Sequence, residues 1–364
     1  MTAEPIQTAM RQEALEAAFV VKSQTRIWQQ TTAPFVEAIL KRDHCHLVTV
    51  ARGSSDHAAS YLAYLAMARL GRFVTSLPMS LLTLELAPLP LHQTVSIALS
   101  QSGRSPDLII PTQTIRSSGG LSAAIVNDVQ SPLAQAAEFT LGLSAGAEHS
   151  VAATKSFVAQ LAMSATIVDS LGQQMSQHLN GQLNQQIRRG RNASLDSLGD
   201  VLEQACLIKW DSAIEPLILA KRLSVLGRGT GLAVAQEAAL KLKETCGIQA
   251  EAFSGAEFKH GPMALVDQGY PIIVFAPRGP CQAGLIEVAG QMADRGGKVW
   301  LVAPEGSTPT KTNVEWLAMA PAASIDHDPI TLIQTFYLFA ESLSRARGLN
   351  PDKPNNLSKV TLTH

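Results

Sequence analysis

Two stretches of the chain share one pattern: a short apolar strand is followed by Arg-Gly, hydroxyl residues and a helix. The first is HLVTVARGSSDHAASYLAYLA, residues 46–66, and the second is RLSVLGRGTGLAVAQEAALKLKE, residues 222–244. Further short apolar segments predict strands at 94–100, 121–127 and 139–145 near the first stretch and at 271–280 and 298–306 near the second. They alternate with longer helical segments, which is typical of a parallel sheet covered on both faces. The repeat therefore predicts an α/β protein with two similar halves, at residues 35–190 and 205–345.

The segments outside the apolar strands carry other patterns. Residues 1–34 have helical spacing without a strand signal, so they predict a leading helical segment. The Gln- and Asn-rich stretch 172–194 predicts a helix followed by a connector between the halves. Residues 346–364 form a polar tail with prolines in it.

Composition and charge exclude several classes of protein. Apolar residues make up 46% of the chain and its net charge is −1, so neither nucleic acid nor an anionic membrane is an expected partner. The sequence has no long apolar segment and no signal-peptide pattern near its first residue. Four scattered cysteines without CxxC spacing predict reduced thiols and a cytoplasmic protein. No residues have the spacing of a metal site, so no metal is expected.

Hydroxyl side chains follow two strands of the first half, where a helix begins. Ligands of open parallel sheets bind beyond the carboxyl ends of the strands, and helix N-termini favour phosphate. Neither loop has the glycine pattern of a dinucleotide or P-loop site, and serines that merely cap helices are the alternative. The candidate phosphate-binding residues are Ser54, Ser55, Ser100, Gln101, Ser102 and Ser105.

The densest group of ionisable residues lies in ALKLKETCGIQAEAFSGAEFKHGP, residues 239–262. Lys241 and Glu244 are three residues apart and share one face of a helix. His260 follows in a segment ending Gly-Pro, which predicts a turn. A carboxylate and a histidine beside a phosphate site can move protons on a sugar. The same residues are also compatible with a solvated helical pair and a structural histidine.

Several motifs, in this order along the chain, carry a resemblance to a known family. RGSSDHA, SQSGRSPD, HSVAATKSF, ALKLKET with AEFKHGP, and NLSKVTL resemble the isomerase half of the glucosamine-6-phosphate synthase family. That half consists of two sugar isomerase (SIS) domains and a C-terminal tail, and the likeness covers about residues 35–364. It implies two tandem SIS domains, a tail at 346–364 that closes the active site, and a homodimer whose subunits share that site.

The resemblance also implies roles for individual residues. Glu244 corresponds to the base that moves a proton between C1 and C2, and Lys241 to a member of the proton relay. His260, contributed by the neighbouring subunit, corresponds to the group that assists ring opening. Lys359 corresponds to the tail lysine that can form a Schiff base with a ketose phosphate. Val151 corresponds to a residue lining the sugar site, and the phosphate is expected against Ser55, Ser100, Gln101, Ser102 and Ser105.

Two departures from the family pattern affect the expected reaction. Arg104 stands where the synthases have an acidic residue beside the phosphate loop. The glutaminase domain is absent from the sequence, so we expect no source of ammonia within the chain. The expected reaction is therefore a deamination, in which glucosamine 6-phosphate and water give fructose 6-phosphate and ammonia without a metal or an organic cofactor.

Three other functions stay open at this point. A galactosamine-6-phosphate deaminase-isomerase and a fructosamine-phosphate deglycase belong to related enzymes, and the sequence does not settle the stereochemistry that separates the first. A non-catalytic sugar-phosphate sensor belongs to a different class, since SIS domains also occur in transcriptional regulators. Such regulators carry a DNA-binding domain, and the sequence has no basic helix-turn-helix segment.

Overall fold

The residues that the computed structural model describes are 7–42, 45–178, 195–307 and 311–359. They form two parallel sheets of five strands each, here called sheet 1 and sheet 2. The α/β class with two strand-and-helix halves, predicted from the repeat, is confirmed. Residues 179–194, which include the predicted connector, lie outside the described residues.

Sheet 1 has the strand order β2-β1-β3-β4-β5, and every neighbouring pair is parallel. All residues of the central strands β3 and β4 are buried. Burial on both faces explains why these strands appear in the sequence as continuous apolar runs. The strands are β1 (His46–Val50), β2 (Val74–Ser76), β3 (Thr94–Ser100), β4 (Leu121–Val126) and β5 (Phe139–Gly142).

Sheet 2 has the order β7-β6-β8-β9-β10 and is also parallel throughout. With the strands of each sheet numbered from its own first strand, both orders are 2-1-3-4-5. In such doubly wound sheets the ligand crevice opens between strands 1 and 3, where the chain reverses direction. The strands are β6 (Arg222–Gly227), β7 (Gln249–Ser254), β8 (Pro271–Phe275), β9 (Lys298–Ala303) and β10 (Val314–Ala318).

Helices connect the strands and cover the sheets. The α-helices are α1 (Ala9–Leu40), α2 (Ser54–Leu70), α3 (Ser80–Thr83), α4 (Pro106–Ser117), α5 (Pro132–Ala136), α6 (Lys155–His178), α7 (Leu198–Leu207), α8 (Ile214–Leu217), α9 (Thr230–Cys246), α10 (Gly255–Phe258), α11 (Gln282–Asp294) and α12 (Asp328–Ala346). Short 3-10 helices occupy Leu91–Gln93, Leu195–Ser197, Asp211–Ala213 and Pro262–Leu265.

Each sheet has its own apolar core. In sheet 1, Ala98 and Val126 pack with Leu108 and Ile115 of α4. In sheet 2, the buried side chains of β8 and β9 pack against the inner face of α11, which carries Leu285. These two cores fix the strands whose carboxyl ends carry the candidate phosphate loops in sheet 1 and the start of α9 in sheet 2.

The leading helix is longer than the helical spacing of the sequence indicated. It runs from Ala9 to Leu40 and contains Pro34, where the predicted segment ended. Phe35, Val36 and Ile39, which follow the proline, are buried. Their packing outweighs the hydrogen bond that a proline costs a helix.

The described residues divide into two compact units. The sheet 1 unit comprises residues 20–42, 45–146, 156–178 and 195–199, and the sheet 2 unit comprises residues 7–19, 147–155, 200–307 and 311–359. The start of α1 and the segment 147–155 therefore belong to the unit of sheet 2, although the sequence pattern grouped the segment 147–155 with the first half.

Hydrogen bonds within the sheet 2 unit explain why the start of α1 belongs there. The carboxylate of Asp352 accepts hydrogen bonds from the backbone N–H groups of Ala9 and Met10, at 2.9 and 2.7 Å. The amide of Gln334, on α12, donates to the carbonyl of Ala14 at 2.7 Å. The unpaired donors at the start of α1 are thus satisfied by the far end of the chain.

In the described part of the chain, no helix is both long and apolar enough to cross a membrane.

Candidate functional site

The first candidate phosphate loop lies between β1 and α2 in the sheet 1 unit. Gly53 precedes the helix with φ 56° and ψ −134°, a left-handed conformation that favours glycine, and no side chain caps the helix start. Ser54 is half-buried, and the buried Ser55 hydroxyl accepts a hydrogen bond from the Gln160 amide at 2.9 Å. The loop therefore offers free backbone N–H groups and two hydroxyls at a helix N-terminus.

The second candidate loop joins β3 to α4 in the same unit. The Ser100 hydroxyl accepts a hydrogen bond from the backbone N–H of Gly103 at 3.0 Å, which closes a tight turn. Gly103 has φ +63°, and a Cβ there would lie 2.1 Å from the Ser131 hydroxyl. Only glycine fits this position, because the backbone of the turn packs directly against the Ser131 side chain.

The remaining side chains of this loop are half-buried and little used by the protein itself. Ser105 is the N-cap residue of α4, as predicted, but its side chain makes no capping hydrogen bond. Ser102 accepts a long hydrogen bond from the backbone of Arg104 at 3.4 Å, and Gln101 lies beside it. Capping therefore does not account for the Ser105 hydroxyl, which leaves it available for a ligand.

The guanidinium of Arg104 lies near the loop but is engaged elsewhere. It pairs with Asp128 at 3.1 Å, and both side chains are largely exposed. On the other side of the loop, Arg52 pairs with the buried carboxylate of Asp107 at 2.8 Å. Both arginines are balanced by a carboxylate, so the positive potential of this region comes mainly from the two helix N-termini.

In the sheet 2 unit, α9 carries a buried group of charges that the sequence indicated only in part. Lys241 and Glu244 share a helix face, as predicted, and their side chains form an ion pair. Glu237, one turn earlier, approaches the same ammonium at 3.5 Å. The side chains of Glu237 and Lys241 are 0% and 1% exposed, whereas that of Glu244 is 22% exposed. Glu244 is thus the member of this group that a ligand can reach.

Charge balance sets the protonation of this group. Burial lowers the pKa of Lys241, but the nearby carboxylates of Glu237 and Glu244 outweigh that effect, so the pKa is raised overall and the ammonium is retained. The Tyr337 hydroxyl donates a hydrogen bond to Glu237 at 3.1 Å. Burial, with Glu237 alongside, raises the pKa of Tyr337 well above its usual value, so the phenol stays a donor.

Glu237 and Tyr337 were not among the residues predicted from the sequence. Glu237 lies four residues before Lys241 and seven before Glu244, so helical spacing alone could have added it to the group. Tyr337 lies on α12, far along the chain, and no local pattern connects it to α9.

The predicted tail lysine, Lys359, contacts the segment that contains Val151. Its ammonium donates to the Glu148 carboxylate at 3.2 Å and to the Ser150 carbonyl at 2.6 Å. The half-buried Val151 donates its backbone N–H to the Asp352 carbonyl at 3.2 Å. Lys359 is therefore held as a charged partner of a buried carboxylate, which orients the segment 148–151.

Two buried hydroxyls lie in the same segment without a hydrogen-bond partner among the described residues: Ser150 Oγ and Thr154 Oγ1. Buried polar atoms are nearly always paired, so unpartnered ones indicate a place where a ligand or water can bind. Glu13 of α1 supports the segment by accepting hydrogen bonds from the backbone of His149 and Ser150. Burial raises the pKa of Glu13.

His260 lies in the turn that its sequence predicted, directly after α10. Its backbone N–H donates to the Glu257 carbonyl at 2.9 Å, and its side chain is exposed. In the described part of the chain, the structure gives the imidazole no contact with Glu244. The predicted role in ring opening, from a neighbouring subunit, stays a prediction.

Comparison with known proteins identifies the family. A model of the SIS domain matches residues 39–168 and 217–340, one segment for each sheet. The chain belongs to the SIS domain family. The SIS fold predicted from the five sequence motifs is thus confirmed, with two SIS segments and two sheets of the same strand order.

Curated SIS relatives include glutamine–fructose-6-phosphate aminotransferases (isomerizing). That of Aeropyrum pernix is 36% identical over 276 residues, which are 74% of this chain and 43% of the relative. That of Corynebacterium glutamicum is 32% identical over 332 residues, 89% of this chain and 52% of the relative. The chain thus spans about half the length of these curated SIS proteins.

Two solved structures of SIS proteins superpose on this chain. A protein of Silicibacter pomeroyi DSS-3, described as a candidate phosphosugar isomerase, is 35% identical with a TM-score of 0.84; the match covers 95% of this chain and 100% of that one. The C-terminal domain of the glucosamine-fructose-6-phosphate aminotransferase of Francisella tularensis has a TM-score of 0.82 at 22% identity, covering 95% and 98%. The second match supports the fold alone.

Proposed function

We propose that this SIS protein is a phosphosugar isomerase that deaminates glucosamine 6-phosphate, using water to release fructose 6-phosphate and ammonia. The observation that carries the proposal is the charge group of α9, in which a buried ammonium lies between two carboxylates and only Glu244 reaches solvent. Such a carboxylate can exchange a proton with a bound substrate while Lys241 balances its charge. The curated relatives act on fructose 6-phosphate by name, which supports the substrate class.

The reaction follows from the chemistry of an amino sugar. Once the ring is open, the C1 aldehyde acidifies the proton on C2, and Glu244 removes that proton to leave an enolamine. Return of the proton to C1 gives an imine at C2. Water adds to the imine carbon, the C–N bond breaks, and ammonia leaves as the ketone of fructose 6-phosphate forms.

The phosphate of the substrate requires hydrogen-bond donors rather than a base. We assign it to the loops at 53–55 and 100–105, because both end at helix N-termini that have hydroxyls but no capping side chain. The half-buried Ser102 and Ser105 are the side chains with hydroxyls least used within the protein. In this proposal they fix the phosphate end of the sugar, which lowers KM, whereas Glu244 acts on C1 and C2.

The test is an ammonia-release assay with purified protein and a panel of amino-sugar phosphates, without added metal. We expect ammonia and fructose 6-phosphate in equal amounts from glucosamine 6-phosphate. Turnover of galactosamine 6-phosphate alone would change the substrate assignment, and turnover of fructosamine phosphates alone would indicate a deglycase. Binding of sugar phosphates without turnover of any would indicate a sensor.

The proposal also includes a homodimer in which His260 serves the partner's site. The exposed position of His260, with no contact to Glu244 among the described residues, is compatible with that role. A mixture of the inactive variants Glu244→Gln and His260→Ala, refolded together, is expected to recover part of the activity. A mixture as inactive as each variant would contradict a shared site.

A further inference from the structure

A cavity of about 330 Å³ lies in the sheet 2 unit beside α12, and no residue of the Lys241 charge group lines it. We refer to it as the α12 cavity. Its volume is at the lower end of the range for small-molecule sites, which is about 300–1,000 Å³. Its lining includes three basic residues, Arg11, Lys209 and Arg345, which we call the basic wall, and three large apolar ones, Trp210, Leu338 and Phe339, which we call the apolar wall.

The basic wall retains donors that the protein does not use. Arg11 and Arg345 share one buried carboxylate, that of Glu341, through single contacts at 3.3 and 2.6 Å. Within the described residues, the other nitrogens of both guanidinium groups have no acceptor, and Lys209 has no ion-pair partner. Guanidinium groups with free donors are the groups best suited to bind phosphate through paired hydrogen bonds.

The described lining has three basic residues and one acidic one, Asp211. Two further carboxylates act on it: Glu341 pairs with both arginines, and the charge of Glu203 acts on Cys206 of the lining. The cations are therefore balanced, and what the cavity offers an anion is the unused guanidinium and ammonium donors of the basic wall. Because the arginine side chains are 35% and 40% exposed, an anion that enters from solvent can reach them.

The apolar wall indicates which chemical group the ligand has besides its anionic one. The rings of Trp210 and Phe339 lie with their centroids 5.6 Å apart and their planes tilted by 53°, and both residues are largely buried, so together they offer the cavity two small adjoining patches of ring surface, here called the Trp210–Phe339 surface. The indole N–H of Trp210 is already bonded to the Ala318 carbonyl, at 2.8 Å. What the indole offers a ligand is therefore apolar ring surface, which a planar ring can cover.

We propose that the α12 cavity binds a small phosphate monoester whose phosphate is joined to a planar ring. The basic wall holds the phosphate, and the Trp210–Phe339 surface packs against the ring. This site is separate from the phosphate loops of the sheet 1 unit, and the proposal does not depend on the catalytic function proposed above.

Titration calorimetry tests the proposal with phenyl phosphate and adenosine 5′-monophosphate as probes, and with inorganic phosphate and phenol as their separate halves. We expect one site for the monoesters and binding at least tenfold weaker for each half. Lys209→Glu should weaken the monoesters by about tenfold or more, the loss typical of one hydrogen bond to a charged group. Lys209 is exposed and unpaired within the described residues, so this change leaves the fold intact.

Two further variants make the result decisive. Lys221→Glu makes the same charge change at an exposed lysine that does not line the cavity, and it should bind as the wild type does. Ser102→Ala alters the phosphate loops instead and should also leave monoester binding unchanged. Binding that Ser102→Ala weakens and Lys209→Glu does not, or no binding of either monoester at millimolar concentration, would overturn the proposal.

Discussion

The two sheets carry the same backbone turn but different chemistry. After the first strand of each, a glycine begins the helix with nearly the same angles: φ 56° and ψ −134° at Gly53, and φ 63° and ψ −136° at Gly229. After the third strand of each sheet, the loops differ in their residues. Sheet 1 continues into Ser100 and its hydroxyl-rich loop, whereas sheet 2 continues into Pro277 and Arg278.

An ion pair occupies this second position in sheet 2. Arg278 donates to the fully buried carboxylate of Asp328 through its backbone N–H at 3.1 Å and its side chain at 2.8 and 2.7 Å. The loop after the third strand thus carries hydroxyl side chains in sheet 1, whereas in sheet 2 it carries Arg278, which is paired with Asp328. The same backbone turn therefore accompanies a loop of hydroxyls in sheet 1, to which we assign the phosphate, and a buried ion pair in sheet 2, where the proposed base lies on α9 instead.

The largest expected effect is the loss of turnover when the Glu244 carboxylate of α9 is replaced. Glu244→Gln keeps the size of the side chain but removes the base, so we expect kcat to fall by on the order of 10²–10⁴-fold, with sugar-phosphate binding retained. Steady-state ammonia release and calorimetry measure the two quantities. Glu251→Gln, at an exposed carboxylate on β7, is the matched control and should be active. Full activity of Glu244→Gln would contradict the proposed mechanism.

The next effect concerns stability rather than turnover. Asp328→Asn weakens the hydrogen bonds that the buried carboxylate accepts from Arg278 and Ala322, so the free energy of unfolding should fall by about 1.5–3 kcal/mol. In sheet 1, Asp107→Asn breaks a single contact to an arginine that is 56% exposed, so the guanidinium left behind is solvated and the loss there should be about 1 kcal/mol or less. Denaturant titrations of both variants compare the losses. Equal losses would contradict the difference between the two turns.

The hydroxyls of sheet 1 should affect substrate binding. Ser102→Ala removes one donor to a charged phosphate, so KM should rise by roughly tenfold with little change in kcat. Ser60→Ala, at an exposed serine of α2, supplies the control for a lost hydroxyl outside the loops. An unchanged KM for Ser102→Ala would argue against the loop at 100–105 as the phosphate site.

The smallest effect is expected at Arg104, the residue that departs from the family pattern. Because its guanidinium pairs with Asp128 at the surface, we expect Arg104→Ala to change KM by about twofold or less. Initial rates over a range of substrate concentrations measure this. A tenfold rise in KM would mean that Arg104 leaves Asp128 and binds the phosphate.

The sequence predicted the strands that are buried on both faces better than those at the sheet edges. β3 and β4 read as continuous apolar runs, and their predicted positions match the structure. Of the edge strands of the two described sheets, β5 was predicted, whereas β2, β7 and β10, which have exposed or polar residues, were not. Edge strands owe their conformation to the neighbouring strand, a contact that no local pattern records.

For the candidate site, too, local patterns predicted some residues, and contacts between distant segments were missed. Helical spacing brought Lys241 and Glu244 together, and strand-end hydroxyls located both loops. Tyr337 reaches the charge group of α9 through Glu237, and Glu148 pairs with Lys359. Both contacts arise from tertiary packing, so neighbouring positions in the sequence gave no sign of them. In the proposal, His260 and Glu244 of one site come from two different subunits. A single sequence does not indicate how two subunits are arranged.

The cap of α1 by Asp352 has a consequence for the order in which the protein can form during synthesis. Residues 7–19 are synthesised long before Asp352, whose carboxylate satisfies the first N–H groups of the helix. Lys359, which holds the segment at Ser150, is made later still. Every described residue of the sheet 1 unit precedes residue 200, so that unit can form on the nascent chain, whereas the start of α1 waits for the synthesis of Asp352.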